Sequence, residues 1–192
     1  MRYFTKNRFH HVVTPLAVTL LAACLTACVT VPAYTPPAPR VLPTDPNVIA
    51  QGTEKNHDDF KKNTTYKGMD ASVSPSPYRS LFLRAWKDDS DKDARYQIYV
   101  ADSYGKEWRF YNSAYDSNGK KLELISISRD VDSCDAYGCN YYEHLALNVD
   151  RAYLLVNQDA GVKFKISGKV QGEDRVLFLP PAFIKGFLMS VQ

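Results

Sequence analysis

Four cysteines, four histidines and 21 acidic residues are the groups in this 192-residue chain that could act as nucleophiles, metal ligands or acid–base catalysts. Few of them are spaced for chemistry. His57 stands beside Asp58 and Asp59 in a polar stretch, and His144 follows Glu143 in an alternating one. Each histidine could serve as a base or a ligand, so a small cell-wall hydrolase built on Glu143, His144 or His57 is the alternative reading. No Gly-x-Ser-x-Gly elbow, His-Glu-x-x-His pair, phosphate loop or Gly-x-Gly-x-x-Gly turn occurs. The carboxylates Asp88, Asp89, Asp91 and Asp93 crowd one charged turn without the central glycine of a calcium loop. Cys134 and Cys139 enclose four residues, against the two of a redox Cys-x-x-Cys motif. No catalytic residue, metal site or cofactor is therefore assigned.

The other two cysteines end a leader. Residues 1–11 carry Arg2, Lys6 and Arg8 and no acid, and residues 12–23 are mostly apolar. A basic start and a short apolar run form the pattern of a secretory signal peptide. The run falls short of the roughly 20 residues that span a bilayer as a helix. It closes on Leu21-Ala22-Ala23-Cys24 and again on Leu25-Thr26-Ala27-Cys28. Both resemble the lipobox of bacterial lipoproteins, a branched apolar residue and two small ones before a cysteine. The resemblance implies cleavage and lipidation at Cys28, with Cys24 as the alternative. It also implies delivery to the outer membrane, because Val29 rather than an aspartate follows Cys28. The domain would face the periplasm or the cell surface, held by acyl chains such as palmitate.

An exported chain folds in an oxidising compartment. With one leader cysteine lipidated, Cys134 and Cys139 lack a second ligand pair for zinc. A disulfide closing a loop between two strands is the expectation for them. Lys and Arg total 24 against 21 acids, but three of the bases lie in the leader. The remainder is balanced, which argues against nucleic acid as a partner, since that would need a clustered basic face. Attachment to a membrane would then rest on the lipid, and the partner would be an envelope protein or a cell-wall component.

The elements that must position these residues read as mainly β. Prolines at 32, 36, 37, 39, 43 and 46 make 28–46 a lipidated N-terminus and extended tether after a 1–27 leader, with one domain over 47–192. Residues 54–62 suggest a short helix and 64–66 a short edge strand. Strands follow at 80–87, 94–101, 106–115, 121–130, 140–149, 162–167 and 175–179, each with a period of two. The fourth changes phase at Leu124/Ile125, the sign of a bulge or of burial on both faces. Asp150 caps a short helix over 151–159, Gly161 ends it, and a last helix follows Pro180-Pro181. The predicted fold is α+β, an antiparallel, sandwich-like sheet of about seven strands with two or three short helices. Tyrosine and tryptophan favour binding surfaces. Among Tyr99, Trp108, Tyr111, Tyr115, Tyr137, Tyr141 and Tyr142, the surface candidates are Tyr111, Tyr115, Tyr137 and Tyr142. The expected function is a non-enzymatic binding or structural module.

Overall fold

Asp45 and Pro46 begin the first helix. The Asp45 carboxylate accepts the backbone N–H of Asn47, and Pro46 occupies the first turn, where its missing N–H costs nothing. The computed structural model describes residues 38–74, 79–136 and 138–191. The leader, Cys24, Cys28 and Tyr137 lie outside them. Helix α1 (Pro46–Gln51) leads into β1 (Glu54–Asp58), β2 (Asn63–Lys67), β3 (Ser80–Asp88), β4 (Arg95–Gly105), β5 (Ser113–Asp116), β6 (Lys121–Asp135) and β7 (Gly138–Val149). Then come α2 (Arg151–Asn157), β8 (Val162–Ser167), β9 (Arg175–Leu179) and α3 (Pro181–Ser190).

The fold is α+β, as expected, but the described residues form nine antiparallel strands instead of about seven, in the order β1-β2-β3-β4-β7-β6-β5-β8-β9, because the stretch read as a helix gives β1 and 63–67 pairs fully as β2. Strand β6 joins the two parts. Its first residues Lys121 and Leu122 pair with β5, and from Glu123 onward it pairs with β7. The sheet turns back on itself, so that Arg175 at the start of β9 reaches Asp102 of β4 at 3.2 Å. One face holds the core. Leu81, Leu83, Ile98, Val100, Leu145 and Leu147 lie in the same cluster as Phe164, Ile166 and Leu179, together with Ile184 and Phe187 of α3. On β3, β4 and β7 these core residues recur at every second position, so the pleat carries that set of side chains inside.

Four local readings change. Residues 54–62 form strand β1 and a turn instead of a helix. Asp58 accepts the N–H groups of Phe60 and Lys61, and Lys62 takes φ 51°, which closes a hairpin. The tether ends earlier than 46, because Arg40 bonds Val73 and Asp70 and Leu42 packs on the core. Strand β6 shifts register between Ser126 and Ser128 and again between Val131 and Ser133, later than the predicted bulge. The third predicted strand, 106–115, is strand only from Ser113, and residues 106–112 form a loop. Helix α2 and its cap stand, with the Asp150 carboxylate accepting from the Tyr153 N–H at 2.6 Å. Among the described residues, no helix is long and apolar enough to cross a membrane.

Candidate functional site

The 106–112 loop follows from one buried carboxylate. Glu143 sits in phase with Leu145 and Leu147 on β7, so the pleat carries it inward, where its exposure is 0%. A charge there is costly unless it is fully paired and hydrogen-bonded. Four donors supply this. The Tyr104 hydroxyl donates to Oε1 in a short hydrogen bond, and Arg129 Nε donates to Oε2 at 3.0 Å. The backbone N–H groups of Phe110 and Tyr111 donate at 2.8 and 3.2 Å. Those two N–H groups are bound to a side chain instead of a strand ladder, so residues 106–112 leave the sheet.

Asp102, almost as buried, fixes the far side of the loop. Its Oδ2 accepts from the Tyr111 hydroxyl at 2.8 Å and from Arg109 Nη1 at 3.1 Å, while Arg175 and Arg79 approach Oδ1. Arg109 also donates to Glu173 at 2.6 Å and lies 4.2 Å from the centroid of the Tyr104 ring. Burial pushes the phenols of Tyr104 and Tyr111 well above the ordinary tyrosine range. The hydrogen bond to Glu143 and the charge of Asp102, respectively, add to this. Burial lowers Arg109, but its hydrogen bond to Tyr111 and the charges of Asp102 and Glu173 outweigh that and hold it above its usual value. No buried side-chain nitrogen or oxygen among the described residues lacks a partner.

This bracing displays aromatic side chains. Phe110 takes φ 50°, a left-handed conformation that a bulky residue rarely adopts, and Lys106 takes φ 80°. The Phe110 ring is exposed, with the Arg129 guanidinium 5.3 Å and the Lys169 ammonium 5.0 Å from its centroid. Trp108 lies 6.0 Å from Phe110 and 4.6 Å from Tyr141, centroid to centroid. The loop therefore presents an aromatic pair beside two cations, on a base that buried charges hold rigid.

The predicted tyrosine surface is corrected. Tyr111 is only 1% exposed, because its hydroxyl is needed by Asp102 and Arg109, and Tyr142 is 8% exposed. Tyr115 is exposed on β5, paired across from Lys121 and Lys165. Trp108 belongs to the aromatic set read from the sequence, whereas Phe110, Arg129 and Lys169 were not singled out. The Trp-Arg-Phe-Tyr run that holds Phe110 reads as strand, since aromatic residues favour strands, so the sequence carries no separate signal for its exposure.

The second open region is the outer face of β3, β4, β7 and β6. Arg84 donates twice to the Gln97 side-chain carbonyl, at 2.9 and 2.7 Å. Gln97 donates to Asn148 at 2.7 Å, and Asn148 donates to Glu123 at 2.8 Å. This row of planar polar groups crosses four strands. Beside it Phe82 stacks on Tyr99 at 4.5 Å, and the Tyr99 hydroxyl hydrogen-bonds His144 Nδ1 at 2.6 Å.

The remaining candidates form no catalytic constellation. His57 is exposed at the β1–β2 hairpin, bonded to Thr64 at 3.0 Å and near Asp59 and Asp89. Asp88 and Asp91 are ion-paired to Arg95. Cys134 and Cys139 are cross-strand partners at the tip of the β6–β7 hairpin and are joined by a disulfide. No three His, Cys, Asp or Glu side chains among the described residues are grouped to hold a metal ion. Comparison with protein-family models, with curated proteins and with solved structures finds no match to this chain.

Proposed function

We propose that this chain is a lipid-anchored, non-enzymatic binding module of the bacterial cell envelope, and that it engages a protein partner through the 106–112 loop. The observation that carries the reading is Phe110. It is exposed between two cations in a strained backbone conformation that the buried Glu143 maintains. Strain of this kind costs about 1–3 kcal/mol and persists only where the surroundings enforce it. Aromatic residues beside arginine are the common anchors of protein interfaces.

The anchor is assigned to Cys28, with Cys24 as the alternative, and the address to the outer membrane with the domain facing the periplasm or the cell surface. The hydrolase alternative loses support from the separation of its groups. Glu143 is sealed and fully bonded, and His144 lies on the other face of β7.

A photo-crosslinking residue placed at position 110 of the full chain, in cells, tests the partner. The expected result is a discrete adduct with one envelope protein, absent when the probe replaces the fully exposed Phe60. Identical smears from both positions would remove the ground for the loop. Mass spectrometry of the same material reads the N-terminus, where diacylglyceryl-modified Cys28 is expected and an unmodified chain would refute the anchor.

A further inference from the structure

We infer that the outer face of β3, β4 and β7 is a second binding site, for a neutral oligosaccharide, centred on Trp86. Two open grooves of about 600 and 530 Å³ flank this half-buried indole. Gln97 and Asn148 line the first, with Ile125 and Arg151 at its walls. Phe82, Arg84 and Thr65 line the second.

The occupant follows from what the face offers. Its charges are largely spent internally. Lys67 pairs with Glu54 at 3.4 Å and Arg95 pairs with Asp88, while Arg84 is committed to Gln97 and lies over the Tyr99 ring at 5.1 Å. Among the described residues, Arg151, at the wall of the first groove beside the Tyr96 phenol, is the one lining cation of that groove without an ion pair, too little for an anionic polymer, which needs a row of cations. A lipid or an apolar helix would find a polar floor. What remains is an indole with the Arg95 guanidinium 5.6 Å from its centroid, so that stacking uses the ring area Arg95 leaves, next to amide and guanidinium groups held by hydrogen bonds. Half-buried Asn148 has bonding capacity beyond the ladder, since the structure uses one of its two side-chain N–H groups, while Gln97, 5% exposed, braces the row from below. A sugar ring matches both features: its C–H face covers an aromatic ring and its rim of hydroxyls both donates and accepts. Holding the polar row in place beforehand reduces the ordering cost of binding. This site is independent of the 106–112 loop.

The test is a titration of the isotope-labelled full chain with chitohexaose, cellohexaose and maltohexaose in turn. The chain has two tryptophans, so two indole N–H signals report the two regions separately. The Trp86 signal is expected to move to saturation with at least one sugar, the Trp108 signal to stay, and added salt to change nothing. Trp86→Ala is expected to weaken binding about tenfold. Should that variant fold poorly, Glu123→Ala at the exposed end of the row serves in its place, with an expected loss of about threefold. Absence of saturable change at millimolar sugar, movement of Trp108, or affinity unchanged in the folded variant would each overturn the site.

Discussion

Glu143 and His144 are adjacent in the chain and serve opposite faces of one strand. The Glu143 carboxylate is sealed beneath the 106–112 loop, and the His144 ring is bonded to Tyr99 on the open side. The period of two along β7 separates them, so the pair that looks like acid–base machinery in the sequence cannot share a substrate. Glu143 instead binds the backbone of the loop through the Phe110 and Tyr111 N–H groups.

Replacing that carboxylate should therefore be costly. Glu143→Gln keeps the shape but turns one oxygen into a donor facing groups that also donate, and it leaves Arg129 without its counter-charge. A loss of about 3 kcal/mol is expected in urea unfolding, in the range for breaking a buried pair. Hydrogen exchange at Phe110 and Tyr111 should accelerate more than at Leu145. Equal acceleration at all three would mean that Glu143 has no special hold on the loop.

Stability should fall on the alkaline side. Tyr104, Tyr111 and Tyr153 all have phenols raised above the ordinary value, chiefly by burial and further by Glu143, Asp102 and Asp116. A raised pKa means that the native state keeps protons that the unfolded chain releases. The contribution is fully present below about pH 10 and is lost as pH rises beyond it. Ultraviolet titration should show these tyrosines ionising only as the fold is lost, and Tyr111→Phe should flatten the decline. A reversible titration of every tyrosine near its ordinary value would contradict the buried network.

Helix α1 should be held on the domain by its packing against α3, as a segment that can undock by itself. Ile49 is 1% exposed, and a Cβ at Gly186 of α3 would lie 2.5 Å from the Pro46 carbonyl and 2.8 Å from Ile49 Cβ. Ile49→Ala is expected to cost about 2–4 kcal/mol. Gly186→Ala, although alanine favours helices, should cost about 1–3 kcal/mol through that overlap. Both variants should become cleavable by protease before residue 54 while the sheet remains intact. Resistance equal to the parent would place α1 outside the core.

Most of the sheet was legible because half-buried strands announce themselves by alternation, as Tyr96, Ile98 and Val100 do on β4. The stretches that differ from the sequence reading do so for separate reasons. Residues 106–112 alternate like a strand, yet Glu143 binds two of their N–H groups from 32 and 33 residues away. Strand β1 has little apolar content to betray its period, since only Asp58 escapes full exposure. At α1 the signals were present, an aspartate cap followed by proline, but surrounding prolines read as tether. Tyr111 reads as a surface residue because a buried tyrosine needs a hydroxyl partner, and nothing in the sequence places Asp102 beside it.

The disulfide should matter locally. Cys134 and Cys139 are five positions apart and already cross-strand partners at a hairpin tip. Closing so short a loop is worth about 2 kcal/mol at most on the chain-entropy model. Cys134→Ser with Cys139→Ser should lower the global unfolding free energy by no more than that. Tip amides such as Asn140 should lose protection while Leu145 and Leu147 keep theirs. A collapse of the whole sheet on reduction would show that the hairpin tip supports the core.

The last expectation separates stability from binding at one residue. At φ 50° a side chain with a Cβ is strained, and glycine is not. Phe110→Gly should be more stable than Phe110→Ala by about 1 kcal/mol, because both remove the ring and only glycine relieves the backbone. Both should lose the partner, since each removes the aromatic group held between Arg129 and Lys169. Paired urea melts and crosslinked pull-downs, the probe moved to position 169, measure the two effects in the same proteins. A more stable, partner-blind Phe110→Gly chain is the signature of a residue kept for what it touches outside the fold. If instead Phe110→Gly kept its partner, the strained ring would be a packing feature of the loop and the interface would have to lie elsewhere.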